Sequence, residues 1–202
     1  MTRRRGCGQR WLACRAESFD GEGAHGEYYP TTGAADDAAA IAEIYNQGVR
    51  GRGATFETEE RTPEERSRWL AAHDAQHPCL VATVPGGDSD RVVAWASTGE
   101  YRSRDCYRGI AEFSVYVHQD WRGKGVGKAL LAALILAAEA AGLWKLVSRI
   151  FPENAGSRAL CAWAGFREVG IYERHAQLDG VWKDCVIVER LLSATVADGA
   201  RP

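Results

Sequence analysis

The period of the apolar positions changes several times along this chain, and each change marks an element. Residues 36–49 put Ile41, Ile44, Tyr45 and Gly48 on one face of a 3.6-residue repeat, which predicts an amphipathic helix. Thr62-Pro63-Glu64-Glu65 is a capping box with proline at the first helical position, and Trp69, Leu70 and His73 then line one side of a second helix. Residues 79–84 and 91–100 read as strands joined by the turn Pro85-Gly86-Gly87-Asp88-Ser89-Asp90, and residues 111–117 as a third strand. Residues 127–141 are apolar nearly all round, which predicts a buried helix. A strand over 146–150 follows, then a helix from about Asn154 that stops at Gly165. Two last strands, 166–175 and 181–190, flank an Asp179-Gly180 turn. Short strands interleaved with helices predict an α/β (α+β) layered fold.

Composition narrows the classes of function. The chain has 202 residues, 46% hydrophobic and 26% charged, enough to bury a core and too apolar for wholesale disorder. Its net charge of −2 argues against a dedicated nucleic-acid binder. The longest apolar run, residues 129–138, is half of the roughly 20 residues needed to cross a bilayer, so no membrane association is expected. The six cysteines are widely spaced with no CxxC pair, and the five histidines make no ligand set, so no metal is expected. Small buried thiols in a reducing cytosol account for such cysteines and predict a cytoplasmic protein. Residues 1–27 carry five arginines and then four acidic residues among glycines, with little periodicity. They predict a disordered extension, followed by one domain over 28–192 and a polar tail over 193–202.

The segment with the most chemistry runs from Val115 to Lys128, where a β-branched strand enters Arg122-Gly123-Lys124-Gly125-Val126-Gly127 and a long helix follows at once. Glycines let backbone amides approach an anion closely, and the helix N-terminus adds partial positive charge. Arg122, Lys124 and Lys128 supply full charges, so the loop suits a pyrophosphate. Spacing excludes two rival motifs. A P-loop needs Ser or Thr after Gly-Lys, where Gly127-Lys128 is followed by Ala129; the dinucleotide fingerprint needs GxGxxG, where this loop gives GxGxG.

This loop, with Gln119 before it, resembles the acyl-CoA signature of the GCN5-related N-acetyltransferase (GNAT) superfamily, and Asn154, Ser157 and Trp163-Ala164-Gly165-Phe166 match its second landmark. The resemblance implies a single GNAT fold, a mixed central sheet flanked by helices, with acetyl-CoA as co-substrate. It also implies that the 122–128 loop, Lys128 included, holds the CoA pyrophosphate, that the backbone from Val115 to Val117 pairs with the pantetheine arm, and that Asn154 and Ser157 lie beside that arm.

A narrower resemblance is to the phosphinothricin and arsinothricin N-acetyltransferases. It rests on Ile44-Tyr45-Asn46, Ala54-Thr55-Phe56, the 101–107 segment with Arg102, Arg104 and Tyr107, the strand Ala111 to Val117, and Asp179 to Asp184. It implies an amino-acid pocket lined by Phe56, Arg102, Arg104 and Tyr107, with Lys183 nearby where such enzymes commonly carry histidine. Two arginines suit a substrate with two anionic groups. The same resemblance makes Glu112 the general base. Strand alternation puts it with Ser114 and Tyr116 on one face, toward a polar cleft, where partial burial would suit it to take an ammonium proton. Cys161 stands where superfamily members often have a tyrosine that protonates the departing thiolate, which makes the thiol a candidate acid. His118 and His175 read as surface residues.

The expected activity is thus acetyl transfer to a small anionic amino acid such as L-phosphinothricin, methionine sulfoximine or arsinothricin, giving resistance or detoxification, by a homodimer. The alternatives are a protein or peptide N-acetyltransferase and a non-catalytic acyl-CoA sensor.

Overall fold

The computed structural model describes residues 28–86 and 90–192; the expected extension over 1–27, the tail over 193–202 and the tip of the 85–90 turn lie outside them. Its elements run β1 (Tyr29–Thr32), α1 (Ala38–Arg50), α2 (Pro63–Ala71), β2 (Cys79–Val84), β3 (Arg91–Glu100), β4 (Ile110–Val117), α3 (Val126–Ala140), β5 (Lys145–Ile150), α4 (Ala155–Trp163), β6 (Arg167–Leu178) and β7 (Val181–Leu191). The seven strands form one mixed sheet in the order β1-β2-β3-β4-β5-β7-β6, antiparallel everywhere except at β4–β5. Residues 79–84 and 91–100 form strands with the predicted bounds, whereas β1 has no counterpart in the sequence reading.

Alternation along the central strands divides the core between the two faces of the sheet. Leu80, Ala82, Ala94, Ala96, Ala111 and Phe113 pack against Leu130, Leu131 and Leu134 of α3. The opposite face presents Val81 and Trp95 to Ile41, Ile44 and Tyr45 of α1. The Thr62 capping box of α2 forms as predicted, with Thr62 Oγ1 accepting from the Glu65 amide and Glu65 from the Thr62 amide.

The parallel pair is what positions the site. β4 and β5 are paired only over Ile110–Lys145, Ala111–Leu146 and Glu112–Val147. Just before them the Gly109 carbonyl accepts from the amides of Trp144 (2.8 Å) and Lys145 (3.2 Å). A Cβ at Gly109 would fall 1.9 Å from the Trp144 ring, so only glycine permits that approach. Beyond Glu112 the strands part. β5 stays paired with β7 along its length and β4 with β3, leaving the β5-facing edge of β4 from Phe113 to Val117 without a strand partner.

Candidate active site

The open edge of β4 leads directly into the glycine loop. Gly123 (φ +74°) and Gly125 (φ +82°) both take left-handed conformations, and Gly125 is the N-cap of α3. The amides of Gly123, Lys124 and Gly125 donate to no backbone carbonyl among the described residues. A cavity of about 670 Å³ extends from this loop along Val115, Tyr116 and Val117 to Asn154, Ser157, Leu160 and Trp163. Arg122 and Lys128 line it, Lys128 with its ammonium 5.1 Å from the centre of the Trp163 ring. Unpaired amides at a helix N-terminus, two cations and an unpaired strand edge fit a pyrophosphate joined to an amide-bearing arm. The residues present therefore match what CoA would need.

Some of the residues expected to hold CoA have other side-chain duties. Val126 is fully buried and Lys124 lies over the Trp121 ring at 5.0 Å; neither side chain lines the cavity. Asn154 caps α4 through the Ser157 amide (3.1 Å) and donates to the Gly53 carbonyl (3.0 Å), so it ties the 51–54 loop over the cavity. Arg122 Nε donates to the Val117 carbonyl (3.2 Å). Tyr116, which the sequence placed beside Glu112, stacks on Trp95 (4.7 Å between ring centres), and burial pushes its phenol above the ordinary tyrosine range. His118 is half-buried, not a surface residue, because its ring accepts from the Asp120 amide in a capping turn. His175 is exposed.

Where β4 and β5 diverge, a second cavity of about 260 Å³ opens, and Glu112 is in its wall with Phe56, Ser114, Arg149, Phe151, Leu160 and Cys161. Val115, Asn154 and Ser157 border both this cavity and the larger one, so the two are continuous along β4. Phe56 packs edge-on against Phe151 with ring centres 4.8 Å apart. Lys183 lies 5.6 Å above the Phe151 ring and is paired with Glu153. Glu112 is not the solitary, desolvated carboxylate that strand alternation led us to expect. Arg149 Nε and Nη2 donate to its two oxygens, each at 2.8 Å, with about a third of the Glu112 side chain still exposed. Arg149 escaped the sequence reading, since one arginine in a β-strand reads as a solvent-facing position.

Cys161 lies in the same wall, but it is buried, and burial pushes its thiol up to about 12. A departing thiolate of ordinary thiol basicity would have to take a proton from it uphill by about 5 kcal/mol. The acid role expected for Cys161 does not suit that environment, and neither does a nucleophilic one, since the thiolate is the reactive form.

Arg102, Arg104 and Tyr107 are in a third hollow, about 480 Å³, together with His73 and His77 from the α2–β2 connection. Arg102 lies over Tyr101 at 5.2 Å, and Tyr101 meets Tyr107 edge-on. The structure therefore does not bring these residues against Glu112, as the resemblance implied. It places them next door. Gly99 and Ile110 line the hollow; Gly99 is directly opposite Glu112 across β3–β4, and Ile110 is the preceding same-face position on β4. Same-face neighbours on a strand are about 7 Å apart. A Cβ at Gly99 would meet nothing within 4 Å, so the space directly beside that position is open.

A sheet split beside a glycine loop, with a carboxylate at the split, suits an acyl-CoA-dependent acyltransferase. The comparisons with known proteins give the family. The model of an acetyltransferase (GNAT) domain matches residues 33–187, and the chain belongs to that family of acetyl-CoA-dependent N-acetyltransferases. It is 33% identical to the phosphinothricin N-acetyltransferase of Streptomyces coelicolor over 79% of this chain and 94% of that protein. It is 36% identical to an L-methionine sulfoximine/L-methionine sulfone acetyltransferase of Pseudomonas paraeruginosa over 79% and 91%. Among solved structures, a GNAT phosphinothricin acetyltransferase from Sinorhizobium meliloti in complex with acetyl-CoA superimposes with a TM-score of 0.77 at 28% identity, covering 86% of this chain and 93% of that one.

Proposed function

We propose that this enzyme acetylates the α-amine of a small anionic amino acid of the L-phosphinothricin, methionine sulfoximine or arsinothricin type, and that it serves detoxification in the cytoplasm. The observation that supports the reading is the continuity of two spaces along β4, with a third beside them on the same sheet. The CoA cavity meets the Glu112 cavity along β4, and the arginine-bearing hollow lies beside the latter, lined by Ile110, one same-face position before Glu112, and by Gly99 opposite it. The names of the related enzymes agree with it. The exposed apolar side chains of Val169, Ile171, Tyr172, Val181 and Trp182 on β6 and β7 support a homodimer.

In the reaction, Glu112 takes a proton from the substrate ammonium. The freed nitrogen attacks the thioester carbonyl carbon and a C–N bond forms; the C–S bond then breaks as the nitrogen loses its second proton through solvent to the departing thiolate. Phe56 and Phe151 wall the aliphatic part of the acceptor, and Arg102 and Arg104 attract its distal oxygens, which are anionic in phosphinothricin and arsinothricin.

The test is a steady-state panel with purified enzyme and acetyl-CoA, reading thiol release with L-phosphinothricin, L-methionine sulfoximine, arsinothricin, neutral amino acids and peptides. The reading predicts the highest kcat/KM among the three analogues. Preference for peptides, or CoA binding without turnover of any amine, would overturn it.

A further inference from the structure

The pairing of Glu112 with Arg149 is the feature that the reaction as described leaves unexplained. A general base has no need of a bidentate guanidinium, which occupies both of the oxygens that could receive the proton. Both partners line the acceptor cavity and both are part-exposed, Arg149 by 49% and Glu112 by 32%, so the pair is accessible and, being solvated, contributes little stability. Lys183, which lies over the Phe151 ring, is committed elsewhere, since it is paired with Glu153. An α-amino acid carries an ammonium and a carboxylate on one carbon, the charge-reversed counterpart of an adjacent carboxylate and guanidinium.

We infer that Arg149 is the receptor for the substrate's α-carboxylate, and that the Glu112–Arg149 pair opens by exchange. The incoming ammonium takes Glu112, the incoming carboxylate takes Arg149, and one internal ion pair is replaced by two to the ligand. The exchange frees Glu112 from its guanidinium as it meets the proton it must remove. It also selects α-amino acids over amines without a carboxylate and over peptides acetylated on an internal side chain. With the α-carboxylate held at Arg149, the distal anionic group is left to reach past Gly99 toward Arg102 and Arg104.

This inference rests on the amino-acid reading above, and its test separates the two. L-Phosphinothricin and its decarboxylated counterpart, 3-aminopropyl(methyl)phosphinate, are compared in the wild type, Arg149→Met and Arg149→Lys, by kcat and KM and by calorimetric binding to the CoA-loaded enzyme. The wild type should prefer the amino acid by a factor on the order of 10 to 100, the range expected for charge-assisted hydrogen bonds. Arg149→Met should raise KM for the amino acid by about that factor and erase the preference, with turnover of the decarboxylated amine kept. Arg149→Lys should retain part of the preference, because the charge remains without the planar fork. If Arg149→Met lowers both substrates equally, Arg149 only orients Glu112 and the inference falls while the amino-acid reading stands. If the wild type turns over no α-amino acid, L-methionine sulfoximine and arsinothricin included, both fall.

Discussion

Replacing Glu112 by glutamine tests the chemistry with little change of shape. The substitution is nearly isosteric, but it exchanges one acceptor oxygen for an NH2 that faces the N–H groups of Arg149, so one of the two 2.8 Å hydrogen bonds is lost. The partners are exposed by 32% and 49%, and a solvated pair of this kind contributes at most about 1 kcal/mol to stability. For a domain of this size that lowers Tm by only about 2–4 °C. The residue lines the acceptor cavity and not the larger cavity assigned to CoA, so CoA affinity should not change. Turnover should fall much further, by roughly 10²- to 10⁴-fold, the usual contribution of a positioned general base. Thiol release gives kcat, calorimetry gives the CoA Kd, and a thermal melt confirms the fold. A variant that keeps its Tm and CoA affinity and also keeps kcat within about tenfold of the wild type would remove Glu112 from the proton transfer.

Four further outcomes follow from the same geometry. Gly123→Ala adds a methyl that meets no atom within 4 Å, so its whole effect is left-handed strain of about 1–2 kcal/mol. Relaxed in the free enzyme and restored on binding, that strain should weaken CoA roughly 5- to 30-fold in calorimetry, with kcat at saturating CoA preserved. Gly99→Val fills the gap opposite Glu112; KM for the acceptor should rise about tenfold or more, with CoA affinity and Tm unchanged. Cys161→Ala should keep kcat within about threefold, since a thiol pushed up to about 12 donates no useful proton, and should cost about 1 kcal/mol in urea unfolding. Glu189 is held below the usual carboxylate range by hydrogen bonds from Lys145 (2.9 Å) and Arg167, with burial opposing. A carboxyl with a depressed folded-state pKa stabilises the fold above its unfolded value and loses that contribution as pH falls through the folded one. Glu189→Gln should therefore be about 1 kcal/mol less stable than wild type at pH 7, with the gap closing below about pH 4; an unchanged gap at pH 3 would contradict this.

What the sequence revealed and what it hid have physical causes. Strands 79–84 and 91–100 were legible because β-branched and apolar runs there end at proline, glycine and charge. β1 is four residues, too short to show a period. The glycine loop was legible because its left-handed positions demand glycine in a fixed spacing. Arg149 was not, because its meaning comes from a contact just past the parallel pairing, with a residue 37 positions away in sequence. Arg102, Arg104 and Tyr107 were visible as a motif, but their distance from the base depends on the β3–β4 register, which puts Gly99 rather than Arg102 opposite Glu112. Residue type was readable; relative position across the sheet was not.

That distinction bears on how β4 carries the reaction. Its odd residues, Ala111 and Phe113, are buried against α3 and fix the strand in the core. Its even residues, Ile110, Glu112 and Ser114, line the acceptor spaces, and its β5-facing edge beyond Glu112 lines the donor cavity. In the proposed reaction, donor and acceptor therefore meet where the β4–β5 ladder ends, and Gly109 and Trp144 fix that place by pinning the strands just before it. Were the parallel pairing to extend two residues further, the same side chains would face the same way, but the edge beside them would be closed to a pantetheine arm. The reactive geometry thus depends on where a ladder stops as much as on which residues it carries.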